Sequence, residues 1–230
     1  MRLPSLPSSE CFGKASSAVE ASEPFDELVL SESQVSQVAR DIKTQGHCTI
    51  AMSKVTQAFL TQLKNDATVE WAPAPNGGVP HKYAGDGGLE PKVKQSAAQI
   101  IQALTPDAEP RPLRAQQFEL RQPSRGAAPE DWHIDRINKF VVLATLEGKG
   151  TLYVSPMDAD KVFYKNTDPT NVSAVQKISE SEMPKYVQES PQHHFMLFAT
   201  REIASESVPA LIHCSPPATD GRTIFLARWR

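Results

Sequence analysis

The sequence has few cysteines, no long apolar run and no excess of basic residues. Its three cysteines are far apart among 230 residues, so neither a disulfide framework nor a zinc ribbon is indicated. No run of about 18 apolar residues exists, which argues against a membrane-spanning helix. The formal net charge is −3, so the chain lacks the basic field that is typical of nucleic-acid-binding proteins. We therefore expect no nucleic acid or membrane partner, and a reducing, cytoplasmic location is the simplest expectation.

Composition favours one domain that is preceded by a tail. A hydrophobic fraction of 40% is enough for one sizeable core. Residues 1–27 are rich in Ser, Pro, Ala and Glu and have few large apolar groups, which predicts a disordered tail. A leader of this kind also occurs on secreted bacterial effectors, an interpretation that we rank below an ordinary disordered terminus.

Residues 28–112 have the apolar spacing of helices. Ser31 and Gln34 match a capping box, and apolar residues then recur at helical spacing until Gly46. A short β-prone segment follows, then a second helix that begins at Ser53, and residues 92–104 have the pattern of a third helix. We therefore predict a helical flank, in which His47 and His81 are solvated histidines.

Residues 113–230 change to the pattern of strands. Residues 117–122 alternate strictly between polar and apolar side chains, which places Arg121 on a polar face. That face either lines a wet cavity or carries an exposed salt bridge. Strands after a helical flank indicate the α+β class with a sandwich or barrel.

His133 and Asp135 are separated by one residue at the head of a predicted strand. Side chains alternate along a strand, so the imidazole and the carboxylate share a face. Together they are two of the three ligands of a 2-His-1-carboxylate iron site. His213, which ends the apolar segment 208–212, is the candidate third ligand. A lone His-x-Asp pair is otherwise typical of a polar surface or of a satisfied core histidine.

A basic residue, Arg222, lies nine positions after His213 and opens the last predicted strand. The order His-x-Asp, long insert, His and basic residue resembles the Fe(II)/2-oxoglutarate-dependent dioxygenases, most strongly over residues 116–229. Residues 150–156 are similar to the Gly-x-Leu-x-x-x-Pro strand of the prolyl-hydroxylase-like members. The resemblance implies a double-stranded β-helix, or jelly-roll, catalytic core at 113–230 with N-terminal flanking helices.

The resemblance also implies roles for the site residues. His133, Asp135 and His213 would bind Fe(II). The guanidinium of Arg222 would bind the far carboxylate of 2-oxoglutarate, a planar match that lysine cannot reproduce.

Alternation from these residues predicts further pocket positions. Leu143 and Thr145 on one strand of a hairpin and Leu152 on the other should face the cosubstrate. If Arg222 points inward, Arg228 does so too. Arg121 and Arg228 are then candidate substrate contacts, with surface ion pairs as the alternative for both.

The function that the resemblance implies is oxygenation. Fe(II), 2-oxoglutarate and O2 would hydroxylate a small molecule or an amino-acid or peptidyl substrate, with release of succinate and CO2. Two alternatives stay open: a non-catalytic β-helix binding module, and a cupin-like metal enzyme that does not use 2-oxoglutarate. The insert at residues 157–192 matches no family segment and is a candidate lid over the site.

Overall fold

The computed structural model describes residues 23–72, 80–84, 89–109, 112–123, 131–136, 139–165, 173–205, 207–216 and 221–230. The helices are α1 (Glu32–Gln45), α2 (Lys54–Asn65), α3 (Leu89–Leu104) and α4 (Pro156–Val162). The strands are β1 (His47–Ala51), β2 (His81–Tyr83), β3 (Ala115–Arg121), β4 (Phe140–Glu147), β5 (Leu152–Val154), β6 (Val187–Glu189), β7 (His194–Ala199), β8 (Ile212–Cys214) and β9 (Thr223–Trp229). None of the helices in the described ranges has the length and apolarity to cross a bilayer.

The strands form two antiparallel sheets. The large sheet has the order β1-β7-β4-β9-β3-β2, and the small sheet has the order β6-β5-β8. The sheets face each other across an apolar cluster to which β4 contributes Leu143, β7 contributes Phe198 and β5 contributes Tyr153. The helical flank supplies β1 and β2, the two edge strands of the large sheet, so the flank and the core share one sheet.

Helices cover the other face of the large sheet. The main core cluster joins Ile42 of α1 and Ile100 of α3 to Phe225 of β9. Helices on one side of an antiparallel sheet and a second sheet on the other define an α+β fold, as the sequence predicts.

Local signals explain where α1 begins and ends. The Ser31 side chain accepts from the Gln34 N–H and the Gln34 side chain accepts from the Ser31 N–H, which is the predicted capping box. Gly46 ends the helix with φ of 81°, and its N–H donates to the carbonyl of Ile42. A Cβ at Gly46 would lie 2.5 Å from Cγ of Pro156. Glycine is therefore needed both for the left-handed backbone and for the close approach of α4.

The last part of the predicted tail packs into the core. Phe25 is 0% exposed, and its ring centroid lies 5.1 Å from that of Phe225 and 5.6 Å from that of Phe118. The Phe25 N–H also donates to Oγ1 of Thr56 over 2.8 Å. Residues 1–22 of the tail lie outside the described residues. The predicted boundary at residue 27 is thus too late, because the average polarity of the segment concealed one anchoring aromatic side chain.

The insert predicted as a lid is a packed layer where it is described. Val162, Phe163 and Met183 form an apolar cluster with Val154 of β5, and β6 extends the small sheet. Residues 166–172 lie outside the described residues. Ser173 forms a β-bridge with His133, so this part of the insert reaches the predicted site through its backbone.

Two cysteines lie within the described residues. Cys214 is buried in β8. Cys48 is buried in β1.

Candidate metal centre

The three predicted ligand residues come together along the β8 edge of the small sheet. His133, Asp135 and His213 each offer one ligand atom, and these atoms all lie within 4.8 Å of one another. The two imidazole centroids are 4.5 Å apart, and Nε2 of His213 lies 3.7 Å from Oδ2 of Asp135. Two imidazoles and one carboxylate can hold a divalent metal such as Fe(II) and leave other coordination positions open.

Backbone pairing fixes the distance between the two histidines. The His133 N–H donates to the His213 carbonyl over 2.9 Å, and the His213 N–H donates back over 3.0 Å. His213 is also paired with Tyr153 of β5 on its other side. The strand predicted around His133 is limited to isolated bridges, which are enough to set the two rings side by side.

Both imidazoles are oriented by a hydrogen bond from Nδ1. The carbonyl of Asp131 lies 2.7 Å from Nδ1 of His133, and the carbonyl of Leu211 lies 3.2 Å from Nδ1 of His213. A carbonyl can only accept, so the proton resides on Nδ1 and the lone pair on Nε2. Hydrogen bonds of this kind typically orient histidines that bind metals.

The electrostatic surroundings favour the neutral form of His213. Burial lowers the pKa of His213, and the carboxylate of Asp135 opposes this effect, while His133 and Arg228 add to it. A neutral imidazole is the form that binds a metal.

Arg222 lies directly before β9 and is 2% exposed. Its Nη2 donates to Oγ1 of Thr151 over 2.8 Å, and its Nε donates to the carbonyl of Lys149 over 2.9 Å. The inward direction predicted for this side chain therefore matches the geometry. A buried guanidinium can bind a carboxylate through parallel N–H bonds.

Two of the three predicted pocket residues on the hairpin face the space between the sheets. Leu143 belongs to the cluster between the sheets, together with Tyr153. Thr145 is 0% exposed, and its Oγ1 has no hydrogen-bond partner among the described residues. Burying an unpaired hydroxyl is costly, so Thr145 fits a site that receives a polar ligand.

The prediction for Leu152 is wrong. Tyr153 contributes to the cluster between the sheets, so alternation turns Leu152 to the outer face of β5. The pairing of the two hairpin strands that the sequence suggested placed β5 one residue out of register. Tyr153 and Thr151 take the inward positions instead.

Arg121 combines the two alternatives that the sequence left open. It is paired with Ile224 of β9 in the β3–β9 ladder, and directly paired residues share a face of the sheet. Its Nε also lies 2.7 Å from Oε1 of Glu119. Arg121 is therefore on the inner face and is already ion-paired.

Arg228 contacts a predicted metal ligand. Its Nη2 lies 3.2 Å from Oδ1 and 3.4 Å from Oδ2 of Asp135. The side chain points inward, as predicted, but its ion pair is made within the site and not on an open surface.

His47, which the sequence predicts as a solvated histidine, is buried in the structure. It is 6% exposed, its ring centroid lies 4.5 Å from that of Tyr153, and burial lowers its pKa. His47 opens a β-prone segment, and a strand within a sheet would have buried it. The prediction of a solvated histidine is therefore wrong for His47. His81 is half-buried in β2.

No protein-family model matches the sequence, and no relative is found among curated proteins. A solved prolyl-4-hydroxylase from Pseudomonas putida is similar in structure, with a TM-score of 0.50 and 15% identity, over 85% of this chain and 98% of that one. A prolyl 4-hydroxylase from Phytophthora capsici has a TM-score of 0.50 and 12% identity, over 90% of this chain and 65% of that one. At these identities the likeness concerns the fold. The predicted resemblance to prolyl-hydroxylase-like proteins is thereby confirmed for the fold.

Proposed function

We propose that this chain is an Fe(II)- and 2-oxoglutarate-dependent oxygenase that hydroxylates a small molecule or an amino-acid or peptidyl substrate. The observation that carries the proposal is the convergence of His133, Asp135 and His213 in a domain whose inner face also buries Arg222. In this proposal the two facing sheets are the double-stranded β-helix core of that enzyme class.

The donor set of the site fits Fe(II), and the inner face fits the cosubstrate. His133 and His213 present their Nε2 atoms because their Nδ1 protons are engaged by carbonyls. Arg222 would bind the far carboxylate of 2-oxoglutarate, and the unpaired hydroxyl of Thr145 would donate a hydrogen bond to the same molecule. Leu143 would exclude water from the apolar part of the pocket.

When bound, Fe(II) and 2-oxoglutarate supply the oxidation, in which O2 is consumed, 2-oxoglutarate yields succinate and CO2, and the substrate gains one oxygen atom. The protein's residues bind and orient the reactants. His213 remains neutral through burial, so it stays able to bind metal at neutral pH.

The direct test is succinate formation from 2-oxoglutarate with Fe(II) and O2 across a panel of amino acids, peptides and small metabolites. We expect succinate together with a product mass that is raised by one oxygen. His133→Ala and Asp135→Ala should abolish both signals. Full turnover and full metal binding in both variants would contradict the proposal.

Two measurements separate the alternatives. A cupin-like metal enzyme would not need Arg222, so an Arg222→Ala variant that keeps full activity would favour it. A non-catalytic binding module would form no succinate with any compound in the panel. Anaerobic addition of Fe(II) and 2-oxoglutarate should give a visible charge-transfer band, and neither alternative predicts one.

A further inference from the structure

The guanidinium of Arg228 contacts the carboxylate of Asp135 in the candidate metal site. One nitrogen of Arg228, Nη2, contacts both Oδ1 and Oδ2 of Asp135, at 3.2 and 3.4 Å. The two side chains are 22% and 10% exposed. Nε of Arg228 is buried and has no hydrogen-bond partner among the described residues. Within that part of the chain, Asp135 is thus the acceptor that holds this guanidinium in place.

This contact has two opposite effects on a divalent metal. The guanidinium fixes the Asp135 side chain next to His213, so the carboxylate needs little rearrangement when a metal arrives. The same guanidinium carries a positive charge that repels the metal. It also partly neutralises Asp135, the one carboxylate among the three converging residues. Since both partners are largely buried, solvent screens this repulsion only weakly.

We propose that Arg228 is a positioning residue that sets the metal affinity of the site: it is the counter-ion of Asp135 before the metal binds, and it competes with the metal afterwards. The inference rests on the proposed function only in requiring that the site binds a divalent metal. We therefore expect that removing the positive charge of Arg228 tightens metal binding.

Arg121 offers a matched control. It also lies on the inner face of the large sheet, but its ion pair is with Glu119, which is not among the residues that converge on the site. Arg121→Gln therefore makes the same charge change without touching Asp135.

The test is a titration of the metal-free protein with Mn(II), followed by calorimetry, for the wild type, Arg228→Gln, Arg228→Lys and Arg121→Gln. We expect Arg228→Gln to bind about tenfold more tightly or better, as the loss of one nearby repulsive charge implies. Arg228→Lys and Arg121→Gln should stay within about threefold of the wild type, since each leaves the positive charge beside Asp135 in place. Equal or weaker binding by Arg228→Gln would overturn the proposal.

Thermal unfolding supplies a readout that a purely structural ion pair would not give. Without metal, Arg228→Gln should melt below the wild type because Asp135 loses its partner in a buried place. With saturating Mn(II) the difference should shrink or vanish, because the metal neutralises the carboxylate and stabilises the folded state by mass action. The same loss of melting temperature with and without Mn(II) would instead mark Arg228 as structural and overturn the proposal.

Arg228→Leu, which fills the space without charge, replaces the glutamine variant if that variant does not fold. If the wild type binds no Mn(II), the proposed function fails along with this inference. If the wild type binds Mn(II) and neither uncharged variant binds more tightly, the inference alone fails.

Discussion

The hydroxyl of Thr151 accepts a 2.8 Å hydrogen bond from Nη2 of Arg222, although the two residues precede strands of different sheets. A tight turn makes this approach possible, since Gly148 has φ of +80° and a Cβ there would lie 2.4 Å from the Gly221 carbonyl oxygen. Thr151, which precedes β5 of the small sheet, therefore helps to orient the guanidinium of Arg222, which precedes β9 of the large sheet.

Under the proposed function, loss of the Thr151 hydroxyl should weaken the binding of 2-oxoglutarate. We expect Thr151→Val to raise the KM for 2-oxoglutarate by roughly 5- to 10-fold, which corresponds to the roughly 1 kcal/mol of one ordinary hydrogen bond, with little change in kcat. Initial rates of succinate formation over a range of 2-oxoglutarate concentrations measure both constants. Thr223→Val is the control, because Thr223 bonds Glu147 on the outer face. Equal KM values for the two variants would contradict the prediction.

Stability should fall as the pH drops below neutrality, and His47 should contribute to that fall. Burial lowers the pKa of His47 in the folded protein, so the unfolded chain takes up its proton first, near pH 6.5. The stabilisation is complete above that pH and decreases below it, by up to about 1.4 kcal/mol per pH unit for one group. Urea unfolding at pH 7.5 and 5.5 should show a smaller loss for His47→Asn than for the wild type.

Part of the loss should persist in His47→Asn, because burial also lowers the pKa of His213. His81→Asn, a change in the half-buried strand β2, serves as the control. If His47→Asn and the wild type lose the same free energy of unfolding between the two pH values, His47 has no part in the effect.

Lys82 should stabilise the C-terminal end of α2. It is 3% exposed, and its Nζ donates to the carbonyls of Leu63, Lys64 and Asp66, at 3.3, 3.2 and 2.7 Å. A buried ammonium that binds the last carbonyls of a helix also complements the helix dipole. We expect Lys82→Met to lower the free energy of unfolding by about 2–3 kcal/mol, measured by urea denaturation.

The control for Lys82 is a lysine in an exposed pair. Lys161 bonds Asp158 over 2.6 Å with 61% of its side chain exposed, and exposed ion pairs contribute about 0–1 kcal/mol. A loss at Lys82→Met no larger than that at Lys161→Met would show that the carbonyl contacts of Lys82 add nothing.

Phe25 should be essential to the core although it follows a polar segment. Its ring packs against four other aromatic rings, those of Phe59, Phe118, Phe195 and Phe225. Phe25→Ala should therefore lower the free energy of unfolding by about 3–5 kcal/mol. Val29 is 48% exposed, and Val29→Ala should change the stability by no more than about 0.5 kcal/mol. Thermal unfolding of both variants tests the difference, and similar melting temperatures would place Phe25 outside the folding core.

The helices α1, α2 and α3 and the ligand residues could be predicted from sequence because their signals are local, whereas α4 lies at the start of the insert and was not predicted. Ser31, Gln34 and Gly46 mark the ends of α1 within a few positions of the residues that they cap. His133 and Asp135 are two residues apart, and His213 and Arg222 each stand at the edge of a recognisable strand.

The relations that the sequence did not reveal depend on distant partners. Whether Leu152 or Tyr153 points inward depends on the register of β5 with β8, and a shift by one residue exchanges the faces. The burial of His47 depends on the pairing of β1 with β7, in which His47 lies opposite Phe198. The contact of Arg228 with Asp135 likewise joins segments that no local pattern connects.

The reciprocal backbone bonds between His133 and His213 have a consequence for how this site can be lost. If β8 slipped by one residue, its inward position would hold either the aliphatic side chain of Ile212 or the thiol of Cys214 in place of the imidazole. No register lies between these two, because strands pair residue by residue and can shift only by whole residues. Insertions or deletions in the loop before β8 should therefore leave the ligand set intact or remove it completely, and gradual drift of this centre through small backbone changes is not available to the fold.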